Sequence, residues 1–218
     1  MKISNDTMSV LKNFAAVNTN LLVRQGNTLS TISTGKNIFA RATISESFDR
    51  EFAIYDLNQL LGLLTLLEDT DVDFGSESMK MTKGRTTFEY YYADPEIIVG
   101  APDKQIEVDD YFSFNLSAEE LSMIQRAAGI TSSPMMSIIG DGENAVLTVS
   151  DPAMPKSHSF KQIVTETDKV FKAHLQIENL KVLPGDYKIT ISEKKFLYLE
   201  NTKTDIKYWL ALDKTSEI

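Results

Sequence analysis

The sequence predicts an α+β protein made of two similar domains. Three observations point there. Short helical segments with clear start signals are set among many short strands. The order helix, strands, helix, strands is given twice. A stretch holding prolines and a glycine separates the halves. The chain has 218 residues, natural for two domains of about 110 each. With 42% apolar residues it has enough material for a core in each.

Four helices have start signals. The first spans 5–17, with Asp6 in its opening turn. The second spans 56–67, with Asp56 as N-cap. The third spans 117–129, where Ser117 and Glu120 have capping-box spacing. The fourth spans 177–183 and is stopped by Pro184-Gly185. Strand signals fill 21–24, 28–33, 38–44, 48–55, 72–75, 79–81 and 86–92 in the first half. In the second half they fill 135–139, 145–150, 160–164, 169–175, 187–192, 196–200 and 205–212. Turn pairs stand at Gly26-Asn27, Gly35-Lys36, Asp141-Gly142 and Asn201-Thr202. The stretch from Ala93-Asp94-Pro95 to Gly100-Ala101-Pro102 reads as an extended connector. The first domain is therefore expected at 1–105, ending in a connector of about 93–108, and the second at 109–218.

The halves repeat each other. An offset of 113 carries Ser9, Lys12, Asn13 and Ala16 onto Ser122, Gln125, Arg126 and Gly129. It also carries Val10, Leu11 and Ala15 onto Met123, Ile124 and Ala128, so both helices pair a polar or small stripe with an apolar face. An offset of 120 lays 56–60 on 176–180, each after a strand. Two unrelated α+β domains align this well over one short window. Two windows in the same order, with similar spacing, favour two similar domains.

Composition narrows the chemistry. There is no cysteine, so disulfides, thiolate metal sites and a cysteine nucleophile are excluded. The two histidines, His158 and His174, have no carboxylates at helix-face ligand spacing, and no metal or cofactor is expected. Gly35-Lys36 lacks the remainder of a P-loop, and no nucleophile elbow is present. The polar start MKISNDTMSV is no signal peptide, and the longest apolar run, 60–67, is broken by Gly62 and Thr65, so a soluble protein is expected. The net charge is -9, from 10 basic and 15 acidic residues in 1–108 and 12 and 16 in 109–218. No half is basic, which argues against a large phosphate-contact footprint.

Several segments are similar to one family. Ile54-Tyr55-Asp56-Leu57-Asn58-Gln59-Leu60-Leu61-Gly62 resembles the second helix of the DNA polymerase sliding clamps of T-even bacteriophages. The opening Met1-Lys2-Ile3-Ser4-Asn5-Asp6-Thr7, then Leu11-Lys12-Asn13-Phe14-Ala15, Arg85-Thr86-Thr87, Ala93-Asp94-Pro95 and Leu183-Pro184-Gly185-Asp186-Tyr187-Lys188 resemble it too. The likeness covers almost the whole chain, close over 1–105 and 171–190 and looser over 106–170. None of these is a catalytic motif; they are specific as an ordered set. The resemblance implies a DNA-clamp fold, with two helices packed on curved antiparallel sheets in each domain. It implies a homotrimeric ring with helices lining the hole, no catalytic site and no cofactor. The implied partners are duplex DNA, the replicative DNA polymerase, an ATP-driven clamp loader and, in this family, the late-transcription machinery. The implied location is the cytoplasm of the infected bacterial host, with no membrane partner.

The residues accommodate that expectation. The helix acids Asp6, Asp56, Glu119, Glu120 and Glu178 all sit in or at first turns, whereas Lys12, Arg126 and Lys181 lie beyond them. DNA-facing candidates are Lys12, Asn13, Gln125, Arg126 and Lys181; the alternative is an ordinary solvated face. The acidic run Glu68, Asp69, Asp71, Asp73 and Glu77 reads either as an exterior that repels DNA or as a solvated loop. In the family, edge strands of neighbouring subunits pair, which here points to 79–92 with Tyr90, Tyr91 and Tyr92, and to 156–165 with Phe160. Three successive tyrosines cannot all face one core from a strand. Ile97, Ile98 and Val99 on the connector, with Phe39, are the polymerase-docking candidates; the alternative is that they cover the first domain's own core. Two rival readings are a non-catalytic, two-domain β-rich structural or assembly protein of a phage, and an enzyme with an unrecognised site.

Overall fold

A serine opens the first helix of each half, Ser4 and Ser117, at the same offset of 113 residues that relates the sequences. The computed structural model describes residues 1–67, 70–154 and 156–218. The chain divides into two compact units, Met1–Lys104 and Gln105–Ile218.

In the first unit, helix α1 (Asn5–Val17) buries Thr7, Leu11, Phe14 and Val17, the apolar face its spacing predicts. Strands β1 (Leu21–Val23), β2 (Gly26–Ile32), β3 (Ile38–Phe48) and β4 (Phe52–Ile54) follow. All pairings are antiparallel: β1 with β4 and β2 with β3. Helix α2 (Leu57–Leu66) is capped by Asp56, whose carboxylate accepts from Asn58 N at 3.0 Å and Gln59 N at 3.2 Å. It buries Leu57, Leu60 and Leu61. A meander of β5 (Asp71–Phe74), β6 (Ser78–Lys83) and β7 (Thr86–Tyr91) completes the unit. Phe48, Phe52, Phe74 and Tyr92 cluster, with Tyr92 stacked on Phe52 at 4.7 Å between ring centres.

One strand corrects the sequence reading. The segments 38–44 and 48–55 are expected as two strands, yet β3 runs unbroken to Phe48 with alternate residues inward. The inward residue that interrupts the apolar alternation is Glu46, 7% exposed. Its carboxylate accepts from Ser4 N and Thr7 Oγ1, at the N-terminus of α1. Burial alone would raise its pKa. The hydrogen bonds from Thr7 and Ser4 outweigh that and hold it below the ordinary value.

In the second unit, β8 (Phe112–Leu116) precedes α3 (Ala118–Thr131). The α3 capping box is present: Ser117 N donates to Glu120 Oε2 at 2.8 Å and Glu120 N donates to Ser117 Oγ at 3.3 Å. Strands β9 (Met135–Asp141), β10 (Asn144–Ser150), β11 (Phe160–Glu166) and β12 (Val170–Gln176) form a sheet ordered β11–β10–β9–β12. Its β9–β10 turn uses Gly142 at φ 94° and Asp141, which accepts from Glu143 N and Asn144 N. Strands β13 (Tyr187–Ser192), β14 (Phe196–Asn201) and β15 (Ile206–Ala211) pair in order with β8 at the far side of β13.

The fourth expected helix is not an α-helix. Its segment holds a single 3₁₀ turn, Ile177–Asn179. The physical reason is that tertiary partners take its backbone groups. Leu183 N, which an α-helix would bond to residue 179, donates instead to Tyr208 Oη at 3.1 Å. Leu183 O accepts from Tyr187 Oη at 2.7 Å, and Leu180 O from Gln125 Nε2 at 3.2 Å. Gln176 makes no side-chain cap bond. Strand β8 was not expected; it lies against the boundary assigned from the connector. Among the described residues no helix is long and apolar enough to cross a membrane.

Candidate nucleic-acid interface

Because β-rich packing buries one face of each helix, the opposite face is left to solvent. On α1 that face is Asn5, Ser9, Lys12 and Ala16. Lys12 makes no ion pair among the described residues. On α3 the exposed set is Ser122, Met123, Gln125, Arg126, Gly129 and Ile130, after Glu119 in the first turn. Beyond the first turns neither helix exposes an acid. α2 adds Asn58, Gln59 and Thr65, with no charge at all. Such a surface has the chemistry to meet phosphates through sparse cations and hydrogen-bonding groups, without base readout.

The five helix candidates are not equivalent. Lys12 and Arg126 stand exposed on helix bodies, Arg126 with its Nε turned back to Ser122 O at 3.4 Å. Asn13 is half-buried and already engaged. Gln125 is exposed, but its amide holds the Leu180 carbonyl, so it braces the segment after β12. Lys181 is exposed on that segment, off any α-helix, and has a partner of its own. Lys2 is an addition that sequence reasoning missed. It lines a cleft of about 360 Å3 with Asn5 and Lys12 of α1 and Thr65 of α2. Its position ahead of the helix hid it from a helix-stripe search. Of the acidic run, Glu68 and Asp69 lie outside the described residues, while Asp71, Asp73 and Glu77 are exposed.

The connector is strapped to the first unit by side chains. Asn18 Nδ2 donates to Val99 O at 3.1 Å, Val99 N donates to Asn20 Oδ1 at 3.1 Å, and Arg24 donates to Ala101 O at 2.7 Å. A 3₁₀ turn, Pro95–Ile97, is capped by Asp94. The strapping leaves Ile97 64% and Val99 39% exposed, with Ile98 half-buried. Phe39 differs: it is 6% exposed in β3, with the Arg41 guanidinium 5.5 Å over its ring. It is a buried residue, not part of an exposed strip.

Strand β7 is an edge of its sheet and β11 an edge of the other. The tyrosines alternate as pleating requires. Tyr90 is buried and its Oη donates to Asp56 O at 3.3 Å, so it anchors α2. Tyr91 is 67% exposed. Tyr92 is half-buried against Phe52, and burial pushes its pKa up to about 12. Tyr91 shares a groove of about 370 Å3 with Tyr55, Gln59, Leu63 and Phe88. Tyr55 was missed because an isolated aromatic just past a strand end carries no periodic signal, whereas Phe88 lies inside the expected edge 79–92 without having been singled out. Phe160 is half-buried at the start of β11, where Ile163 is 63% exposed.

Among the described residues no three His, Asp or Glu side chains come together to hold a metal. His174 is a β12 residue bonded to Ser137 Oγ through Nδ1 at 2.8 Å, and burial lowers its pKa.

Comparison with known proteins adds independent findings. A family model described as DNA polymerase processivity factor matches residues 4–99. The sliding clamp of Vibrio phage KVP40 is 31% identical over 199 residues, covering 88% of this chain and 90% of that protein. The sliding clamp of Enterobacteria phage T4 is 30% identical over 202 residues, covering 89% and 88%. In fold, the chain is similar to the PCNA of A. fulgidus with the C-terminal region of FEN-1 bound, at a TM-score of 0.69, 14% identity and 96% coverage of each chain.

Proposed function

We infer, since this chain belongs to the sliding-clamp family of DNA polymerase processivity factors, that three copies close into a ring around duplex DNA. The observation that carries the reading is the pair of acid-free, cation-bearing helix bodies on an otherwise acidic protein. Lys12 and Arg126 give the lining a weak pull on phosphates, while the net charge of -9 keeps DNA off the remaining surface. A ring holds by topology, so weak contacts are an advantage: strong ones would stop it sliding. The chain's part is mechanical, and it makes or breaks no bond itself.

Neighbouring copies join by adding the β7 edge of one to the β11 edge of the next, with Tyr91, Phe88 and Ile163 desolvated at the contact. Ile97, Ile98 and Val99 form an apolar strip that receives a polymerase tail. The A. fulgidus PCNA with the C-terminal region of FEN-1 bound supports a peptide-docking role. An ATP-driven loader opens the ring, as the family resemblance implies. The ring works in the cytoplasm of an infected bacterial host, in replication and in late transcription.

The test is a double charge reversal, Lys12→Glu with Arg126→Glu, in a primer-extension assay with the matching polymerase and loader. Product length per binding event is expected to fall at least several-fold while the assembly mass stays that of the unaltered ring. Unchanged product length would overturn the assignment of these faces to DNA.

A further inference from the structure

Two of the sheets have one edge covered by the chain's own backbone and one edge bare. In the first unit, Met1 lies along β5: Met1 N donates to Val72 O and Val72 N donates to Met1 O, both at 2.8 Å. In the second unit, the segment 213–217 lies along β12. Asp213 N donates to His174 O at 2.7 Å and His174 N to Ser216 Oγ at 2.9 Å. Lys172 and Glu217 exchange both backbone bonds at 2.8 Å, and Lys172 Nζ reaches Glu217 Oε2 at 2.9 Å. These bonds satisfy the outward N–H and C=O groups of residues 172 and 174, the groups an incoming strand would use. The opposite edges, β7 and β11, carry no such cover among the described residues.

The side chains fit the same division. The covered β5 edge is short and presents Asp71 and Asp73. The bare edges present Thr86, Thr87, Phe88 and Tyr91 beside Glu89 on one strand, and Ile163, Val164 and Thr165 between Lys161 and Glu166 on the other; their β-branched and aromatic residues favour strand pairing. Lifting 213–217 would free the outward backbone groups of Lys172 and His174 beside Val170, which is already 74% exposed.

We propose that Met1 and the segment 213–217 are edge guards, which within the β5–β6–β7 and β11–β10–β9–β12 sheets restrict strand addition from a second copy to β7 and β11. This rests on the ring reading. A chain with one donor edge and one acceptor edge closes into a ring, whereas a chain with a third usable edge branches or grows without limit.

The experiment compares masses by light scattering over a range of concentrations. The full chain is expected to grow no further than one discrete closed assembly, which falls apart to single copies on dilution. A chain lacking 213–218 is expected to form larger species that grow with concentration. Adding Lys172→Pro to that shortened chain removes the outward donor without touching the β9 side, and is expected to restore the discrete assembly. A folded shortened chain with the mass distribution of the full chain would overturn the guard role and leave the ring intact. Larger species that survive Lys172→Pro would overturn it too, since growth would then use another surface. If circular dichroism shows the shortened chain unfolded, Glu217→Pro in the full chain decides: larger species support the proposal, and an unchanged mass overturns it. A full chain that stays single at every concentration would sink the ring reading itself.

Discussion

Ser4 and Ser117 do the same job at equivalent positions, yet the carboxylates that complete their caps come from different places. Glu120 sits three residues along the chain from Ser117, whereas Glu46 reaches Ser4 from strand β3. A buried carboxylate survives only with several hydrogen bonds, and Glu46 has Ser4 N, Thr7 Oγ1 and Ser45 Oγ. Glu46→Gln keeps the shape but loses the charge that faces the helix dipole. It is expected to cost about 1–3 kcal/mol of stability at neutral pH, read from urea unfolding. The pH dependence has a definite sign. The folded-state pKa of Glu46 lies below its ordinary 4.5, so its stabilisation is full above that value and is lost as pH falls through the folded one. The gap between the unaltered protein and Glu46→Gln should therefore narrow in acid. A gap that stayed constant into acid would show that the charge contributes nothing.

At the scale of elements, Gly140 explains how β9 and β12 come together. A Cβ at this position would lie 2.5 Å from the Phe171 ring and 2.6 Å from the Lys169 carbonyl. The glycine lets the ring lie across the strand opposite it. Gly140→Ala should destabilise the second unit by about 1–3 kcal/mol through displaced backbone, measured as a lower unfolding midpoint. Elements of this kind were legible where local chemistry decides them. The caps at Asp56 and Ser117, the turn at Asp141-Gly142 and most of the strands could be read from neighbouring residues. Two of the misses, in β3 and after β12, share a cause: a distant partner. Glu46 interrupts the apolar alternation of β3 because it serves α1. The segment after β12 gives its backbone to Tyr187, Tyr208 and Gln125 instead of coiling. The same holds for the candidate site. Lys12 and Arg126 were legible as cations on a periodic face. Tyr90 was not legible as an anchor for α2, nor Phe39 as a buried residue, because alternation says that successive side chains diverge but not which one goes inward.

For the whole molecule, the ring reading makes a simple demand on mass. One copy is 24.4 kDa. Light scattering should find a species of about three times that mass, falling toward a single copy on dilution, because edge-strand contacts of modest area dissociate. A single-copy mass at high concentration would remove the topological mechanism. The paired serine caps also carry a consequence for how the chain comes to be folded. The α3 start signal is complete within four residues, so that helix can begin as soon as it exists. The α1 cap has a local half, Thr7 N donating to Ser4 Oγ at 3.2 Å, but its carboxylate comes from residue 46 and must wait for loop closure. Made first, α1 is settled late: during synthesis the leading helix stays provisional until β3 has emerged and delivered its glutamate, while the trailing unit starts its own helix from local sequence.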